Sequence, residues 1–240
     1  MSDTVINPSR QKGEVHLTGP VLFFVNPGDA PPIINEARKR QAQKHFLFHS
    51  NLFEISGQPP IFWAGPALGA PAAVMALEKL IALGCKDVLV YGWCGSLAPG
   101  LTAGDIFLPT WSLSEEGTSA HYPLATGPAA DEDLRRQLAT FLQQEGYPVQ
   151  EGPIWTTDAP FRETRQKVQE YGRQGIMAVD MEFSALSTVA TYRSVNLAAA
   201  MLVSDELHHE AWRPIFASKV FKKKSLEIFL AMSRFACNVT

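Results

Sequence analysis

The chain has 240 residues, 46% of them hydrophobic and 19% charged, with a formal net charge of −3 at pH 7. That length and composition fit one globular α/β domain with a large core, and the charge gives no electrostatic basis for binding nucleic acid or an anionic membrane. Cys85, Cys94 and Cys237 form an odd set without metal-type spacing, which points to a reducing compartment. No leader-like start and no apolar run of spanning length is present, so a cytoplasmic protein is expected.

Residues 1–19 are polar and unpatterned and read as an arm, leaving 20–240 as the domain. The apolar run 20–25, closed by Asn26, Pro27, Gly28 and Asp29, predicts a strand followed by a turn. Residues 61–63 predict a further strand, 65–71 a glycine- and proline-rich loop, and 72–83 a helix stopped by Gly84. The buried strand at 88–91 is expected to break at Gly92, Trp93, Cys94 and Gly95, with a successor at 105–109. Residues 112–130 carry no pattern and predict a long loop of the lid or binding type. Helices are predicted over 134–145, ended by Gly146, over 163–173, and over 215–237, where Lys222, Lys223 and Lys224 form a wet face. Strands alternating with helices indicate a largely parallel sheet covered on both sides.

Two acids stand out against this background. Glu182, in Ala178-Val179-Asp180-Met181-Glu182, falls where an apolar strand or turn gives way to a helix. Asp205, after Ser204, leaves the end of the apolar run 197–203. In open α/β sheets ligands bind beyond the carboxyl ends of strands, so two carboxylates on one such rim suit a sugar-handling site. Asp180 lies two residues from Glu182, which on a helix places the side chains nearly opposite, and it reads as a cap. Arg162 and Glu163 are polar groups with recognition potential, although surface residues at a helix start are the commoner reading. Asp205, Glu206, His208, His209 and Glu210 resemble a metal cluster in composition, but adjacent histidines cannot share a helical face, and no metal is expected.

Pro27-Gly28-Asp29, Gly92-Trp93-Cys94-Gly95, Met181-Glu182 and Ser204-Asp205, in this order, resemble the nucleoside phosphorylase and nucleosidase superfamily. That group contains purine nucleoside phosphorylases, uridine phosphorylases and methylthioadenosine nucleosidases. Leu68 to Pro71, Gly104-Asp105 and Thr156-Thr157-Asp158 extend the resemblance from about residue 21 to the C-terminus. It implies a single-domain three-layer α/β/α fold around a mixed, mostly parallel twisted sheet. It also implies cleavage of a nucleoside's N-glycosidic bond without a cofactor, in a homo-oligomer (dimer or hexamer).

The resemblance implies roles as well. Glu182 accepts hydrogen bonds from both cis ribose hydroxyls, since an ionised carboxylate offers only acceptors. Met181 packs on the sugar. Asp205 is the general acid that protonates the departing base, and its presence points to a purine because uridine phosphorylases lack it. Arg213 is its helper, Phe161 the stacking aromatic, and Asp158, Ser204, Gly92, Trp93, Cys94 and Gly95 complete the substrate pocket. Backbone N–H groups of Gly28 and Gly95 face phosphate or water.

The chain departs from this pattern at the phosphate site. Pro32, Val90 and Phe46 stand where the phosphate-binding arginines belong, and Trp93 replaces a hydroxyl residue. A phosphate dianion needs charge-assisted donors to replace its hydration. Arg10, Arg38 and Arg162 are candidate substitutes, and Glu36 is the candidate counterpart of the nucleosidases' water-activating glutamate. Phosphate and water both remain open as nucleophile, and a nucleoside-binding protein without turnover is the alternative.

Overall fold

Successive side chains of a strand point to opposite faces, and strand β1 (Val21–Phe24) divides accordingly. Val21 and Phe23 enter one apolar cluster, Leu22 and Phe24 another. The computed structural model describes residues 4–47 and 49–239. After β1 come α1 (Ala30–Lys39), β2 (Gln43–His45), β3 (Asn51–Ile55), β4 (Ile61–Gly65), α2 (Ala70–Ala82), β5 (Asp87–Ser96) and β6 (Ile106–Glu115). The chain continues through α3 (Glu132–Gln144), β7 (Val149–Thr157), α4 (Arg165–Arg173), β8 (Ala178–Asp180), α5 (Phe183–Arg193), β9 (Asn196–Glu206), β10 (Arg213–Pro214) and α6 (Lys219–Ala236).

The strands form one mixed sheet, in which β1 lies parallel between β4 and β5. The longest pairings, β5 with β9 and β6 with β7, are parallel, while β2, β3 and β4 form an antiparallel edge. Because β5 pairs with β9 and also with β8, the run β5–β9–β6–β7–β8 closes on itself. That closure brings the ends of β5, β8 and β9 to one rim. Helices α2 and α5 cover one face through Leu77, Leu80, Leu186 and Val189. Helices α1, α3 and α6 cover the other through Ile33, Leu138 and Phe229. The architecture is thus three-layer α/β/α around a mixed sheet, as the resemblance implied.

Several element boundaries differ from the sequence expectation, each for a physical reason. Gly92 to Gly95 does not break the strand; β5 continues to Ser96 with only a register shift between Cys94 and Gly95. Those glycines serve close packing: a Cβ on Gly92 would stand 2.9 Å from Val25, and one on Gly95 2.3 Å from Leu207. The expected loop at 112–130 begins later, because β6 runs to Glu115. Its next residue, Glu116, accepts the N–H of Thr118 at 2.6 Å and the hydroxyl of Ser184 at 2.9 Å, pinning the segment to α5.

Helix α4 starts at Arg165, where Thr164 caps the N–H of Lys167, so Glu163 precedes it. Helix α6 likewise starts after its cap, Ser218, leaving Ile215 and Phe216 outside. Pro31 and Pro32 occupy the first turn of α1, where a missing N–H costs nothing. The arm packs against the end of α2: Leu17 N–H donates to Leu83 O (2.9 Å), and Lys79 Nζ meets Ser9 O (2.8 Å) and Glu14 (2.5 Å). No helix among the described residues is long and apolar enough to cross a membrane.

Candidate active site

A cavity of about 540 Å³ opens where the ends of β5, β8 and β9 converge, and both Glu182 and Asp205 border it. Glu182 follows β8 directly and is only 4% exposed. It occupies the N-cap position of α5 without capping it. That task falls to Asp180, whose Oδ2 accepts the N–H groups of Glu182 (3.0 Å) and Phe183 (2.6 Å), while Oδ1 accepts the Thr156 hydroxyl (2.6 Å). Asp180 is the cap that its spacing implied. Glu182 is left to reach across, and its Oε1 accepts the N–H of Gly69 at 2.6 Å. Burial, then the charge of Asp180, pushes the Glu182 carboxyl above the usual range. Two hydroxyl donors from a ligand favour its anion and offset that cost.

Asp205 borders the same cavity from near the end of β9. Its Oδ1 accepts the Ser204 hydroxyl (2.5 Å) and its Oδ2 the Trp212 indole N–H (2.7 Å). Burial raises its pKa against these two bonds, so the proton is held more tightly than in a surface aspartate. Cys94 on the same cavity is a neutral thiol: burial, then Asp180 and Asp205, push it well up.

Met181, Phe161, Ser204, Trp93, Cys94 and Gly95 border the same cavity. Four expected residues do not. Gly92 is buried in β5 against Val25. Asp158 turns away and accepts the N–H of Gly117 at 2.9 Å. Arg213 lies on β10 with its guanidinium 3.2 Å from His209 Nε2, and its neighbour Trp212 takes the place beside Asp205. Gly28 is also outside the lining, because its N–H donates to Asn26 Oδ1 (2.7 Å). A Cβ there would stand 2.7 Å from the Trp93 ring.

An indole thus lies against the glycine expected to face the anion. Trp93 stacks on Phe216 at 6.1 Å and meets Phe221 edge-on at 5.0 Å. Its Nε1 and Asp29 Oδ2 are both buried without a hydrogen bond of proper geometry. Burial pushes Asp29 to about 6, opposed by the Ser225 hydroxyl and then by the nearby indole.

The candidate substitutes for the missing arginines are elsewhere. Arg10 sits on the arm against Glu14 O (3.4 Å), while Arg38 and Arg162 are exposed and border no part of the cavity. Glu36 is held by Lys39 (3.4 Å) and Arg40 (3.2 Å) on the outside of α1. Glu206, His208 and His209 do come together, within 4.8 Å, because they follow a strand rather than a helix. Glu206 Oε1 is taken by Ala103 N–H (2.8 Å) and Oε2 by His209 Nε2 (2.5 Å), so both carboxylate oxygens are engaged, whereas His208 Nδ1 is buried without a partner.

Sequence reasoning set Glu163 aside as a surface group and missed Arg165 and Trp212; all three border the cavity. Thr164 as a helix cap was the available signal for Glu163, since it places the acid one residue outside the helix. Arg165 donates to His209 O (3.3 Å) and Glu210 O (2.6 Å), tying the segment after β9 over the cavity.

This chain belongs to the phosphorylase superfamily, whose sequence model matches residues 21–234. It is 28% identical to a guanosine phosphorylase of Halorubrum lacusprofundi over 141 residues, 58% of each chain. It is 27% identical to a DeoD-type purine nucleoside phosphorylase of Bacillus thuringiensis over 146 residues, 60% of this chain and 62% of that one. The chain thus spans about three fifths of the length of these curated relatives. In fold it is similar to a Toxoplasma gondii purine nucleoside phosphorylase solved with immucillin-H, with a TM-score of 0.81 and 21% identity, covering 99% of this chain and 97% of that one. A Vibrio fischeri uridine phosphorylase superposes with a TM-score of 0.75 and 19% identity over 93% and 92% of the two chains.

Proposed function

We propose that this protein is an enzyme that cleaves the N-glycosidic bond of a nucleoside, with purine nucleosides preferred. The observation that carries the reading is the placement of Glu182 and Asp205 on one cavity, with Asp180 relieving Glu182 of its capping duty. Glu182 accepts from the two ribose hydroxyls and Met181 packs on the sugar. As the bond lengthens, charge accumulates on the base and Asp205 delivers its proton there, with Phe161 over the ring. The similarity to phosphorylases supports phosphate as acceptor of the sugar.

A second reading, water as the nucleophile, is favoured by one observation: Trp93 lies over Gly28, whose N–H already serves Asn26. Incubation with inosine, adenosine and uridine, with and without phosphate, separates the readings by the sugar released. Ribose 1-phosphate supports phosphorolysis and free ribose supports hydrolysis. Ligand-induced thermal stabilisation with neither product supports a binding protein that does not turn over. Leu68, Phe161 and Trp212 expose apolar surface near the cavity, which supports assembly as a homo-oligomer, a dimer or hexamer, checked by light scattering.

A further inference from the structure

Glu163 borders the cavity as a carboxyl not engaged by the fold. It sits between the short turn Pro160–Arg162, which carries Phe161, and the cap Thr164 of α4. Its carboxyl makes no hydrogen bond or ion pair among the described residues, although it is half-buried and faces the cavity. Arg165, the cation two residues on, is committed to the carbonyls of His209 and Glu210. The other charged or titratable groups on the cavity are Cys94 from β5, Asp180 and Glu182 from the β8–α5 junction, Asp205 from β9, and His209 and Glu210 from the segment after it. A half-buried carboxyl beside other acids, with no internal partner, is left free to pair with a ligand.

We infer that Glu163 reads the heterocycle of the bound nucleoside, pairing through its carboxyl with a base edge that presents an acceptor beside a donor, as a cyclic amide or amidine does. The inference rests on the proposed function and names the recognition at the same site. Its placement follows from its neighbours: it lies two residues from Phe161 on the same turn, and the charge of Asp205 reaches it. Burial, then the charges of Asp205 and Asp180, push the Glu163 carboxyl to about 8. At neutral pH it is a neutral acid, with one O–H donor and one carbonyl acceptor side by side. Such a pair matches the base edge in shape and polarity and avoids adding another anion beside Asp205. As charge develops on the departing base, the O–H donor strengthens its bond, so recognition and rate are linked.

The experiment compares the intact chain with Glu163→Gln and Glu163→Leu, using inosine and adenosine as probes in calorimetric titration and turnover from pH 6.5 to 9.5. Gln keeps a donor and an acceptor but cannot titrate, so it is expected to bind within about threefold of wild type at pH 7 and to lack the wild-type decline above pH 8. That decline approaches about tenfold per pH unit when only the protonated form binds. Ionisation of the base is common to both proteins and cancels in their ratio. Leu is expected to bind about tenfold to a hundredfold more weakly than wild type at pH 7, the cost of one unpaired polar edge, and like Gln to lack the decline above pH 8.

Equal loss in Gln and Leu, or matching pH profiles for wild type and Gln, overturns the role of Glu163. So does undiminished binding of inosine and adenosine by Leu, which leaves the proposed function standing. Wild-type protein that neither binds nor cleaves any nucleoside overturns the proposed function, and the inference falls with it.

Discussion

Asp180 Oδ2 receives the backbone N–H of Phe183 at 2.6 Å, and this bond decides what the neighbouring Glu182 is free to do. An acid at the start of a helix ordinarily caps it; here the acid two residues earlier does so, from the end of β8. Stability and binding are therefore assigned to different carboxylates. Asp180→Ala leaves two buried N–H groups and the Thr156 hydroxyl without their acceptor, and should lower unfolding free energy by about 2 kcal/mol or more. Glu182→Gln retains an oxygen for Gly69 and should unfold at nearly the wild-type urea concentration. It should nevertheless lower kcat/KM on a nucleoside about a hundredfold, because an amide nitrogen cannot accept from the second hydroxyl. Similar destabilisation by both substitutions would contradict the division.

Trp212 tunes Asp205. The indole N–H on Oδ2 stabilises the anion and opposes the effect of burial. An acid catalyst works while protonated, so turnover should fall as pH rises through the Asp205 pKa. Trp212→Phe removes the bond that favours the anion, raising that pKa and moving the alkaline limb to higher pH. Asp205→Asn should flatten the limb and reduce kcat far more than affinity for inosine. Arg213→Ala, with its guanidinium at His209, should change kcat less than about threefold. A tenfold fall on Arg213→Ala would restore the helper role implied by the resemblance.

The two principal acids were legible because each ends an apolar run, and a carboxylate there contrasts sharply with what precedes it. The layered fold was legible from alternation of strands and helices, but the closure of β5 through β9, β6, β7 and β8 was not, since it depends on long-range pairing with no local signature. Gly92 and Gly95 look like turn formers in sequence, yet space for Val25 and Leu207 is what requires them. In extended chain, neighbours face opposite sides, so bringing Trp212 to Asp205 turns Arg213 outward; counting residues from Asp205 cannot reveal that phase. Glu163 escaped because an acid before a helix is usually solvated, and only the juxtaposition of the ends of β8 and β9 makes it part of a wall.

The contact between Gly28 and Trp93 makes a packing prediction independent of any activity. Gly28→Ala places a methyl 2.7 Å from the ring, and the ring is held by Phe216 and Phe221. Overpacking of this kind costs about 1–3 kcal/mol. Trp93→Ser removes the obstacle while opening a void of its own. In a double-mutant cycle by urea unfolding, the alanine should therefore cost at least about 1 kcal/mol less in the serine background than in wild type. Additive costs would show that the indole does not close over Gly28. If it does close, the serine variant is also the one in which phosphate gains most access, and its sugar product should become more dependent on added phosphate than that of wild type.

Asp29 supplies the last prediction, a pH dependence of stability. Its carboxyl is buried beside Ser225 and Trp93, and burial raises it from 3.8 to about 6. An acid raised on folding binds more protons in the native than in the unfolded state between those values. Stability from this group is thus fully present below pH 4 and lost as pH rises through about 6. A shift of about two units corresponds to a loss on the order of 3 kcal/mol. Asp29→Asn keeps an oxygen for the Ser225 hydroxyl but does not titrate. The difference in unfolding free energy between variant and wild type, in which all other titrations cancel, should move in favour of the variant by roughly that amount between pH 4 and 7. A difference independent of pH would mean that the carboxylate is better solvated, or better bonded to Trp93, than its surroundings imply. The cluster of Trp93, Asp29 and Ser225 would then have room for a polar ligand after all.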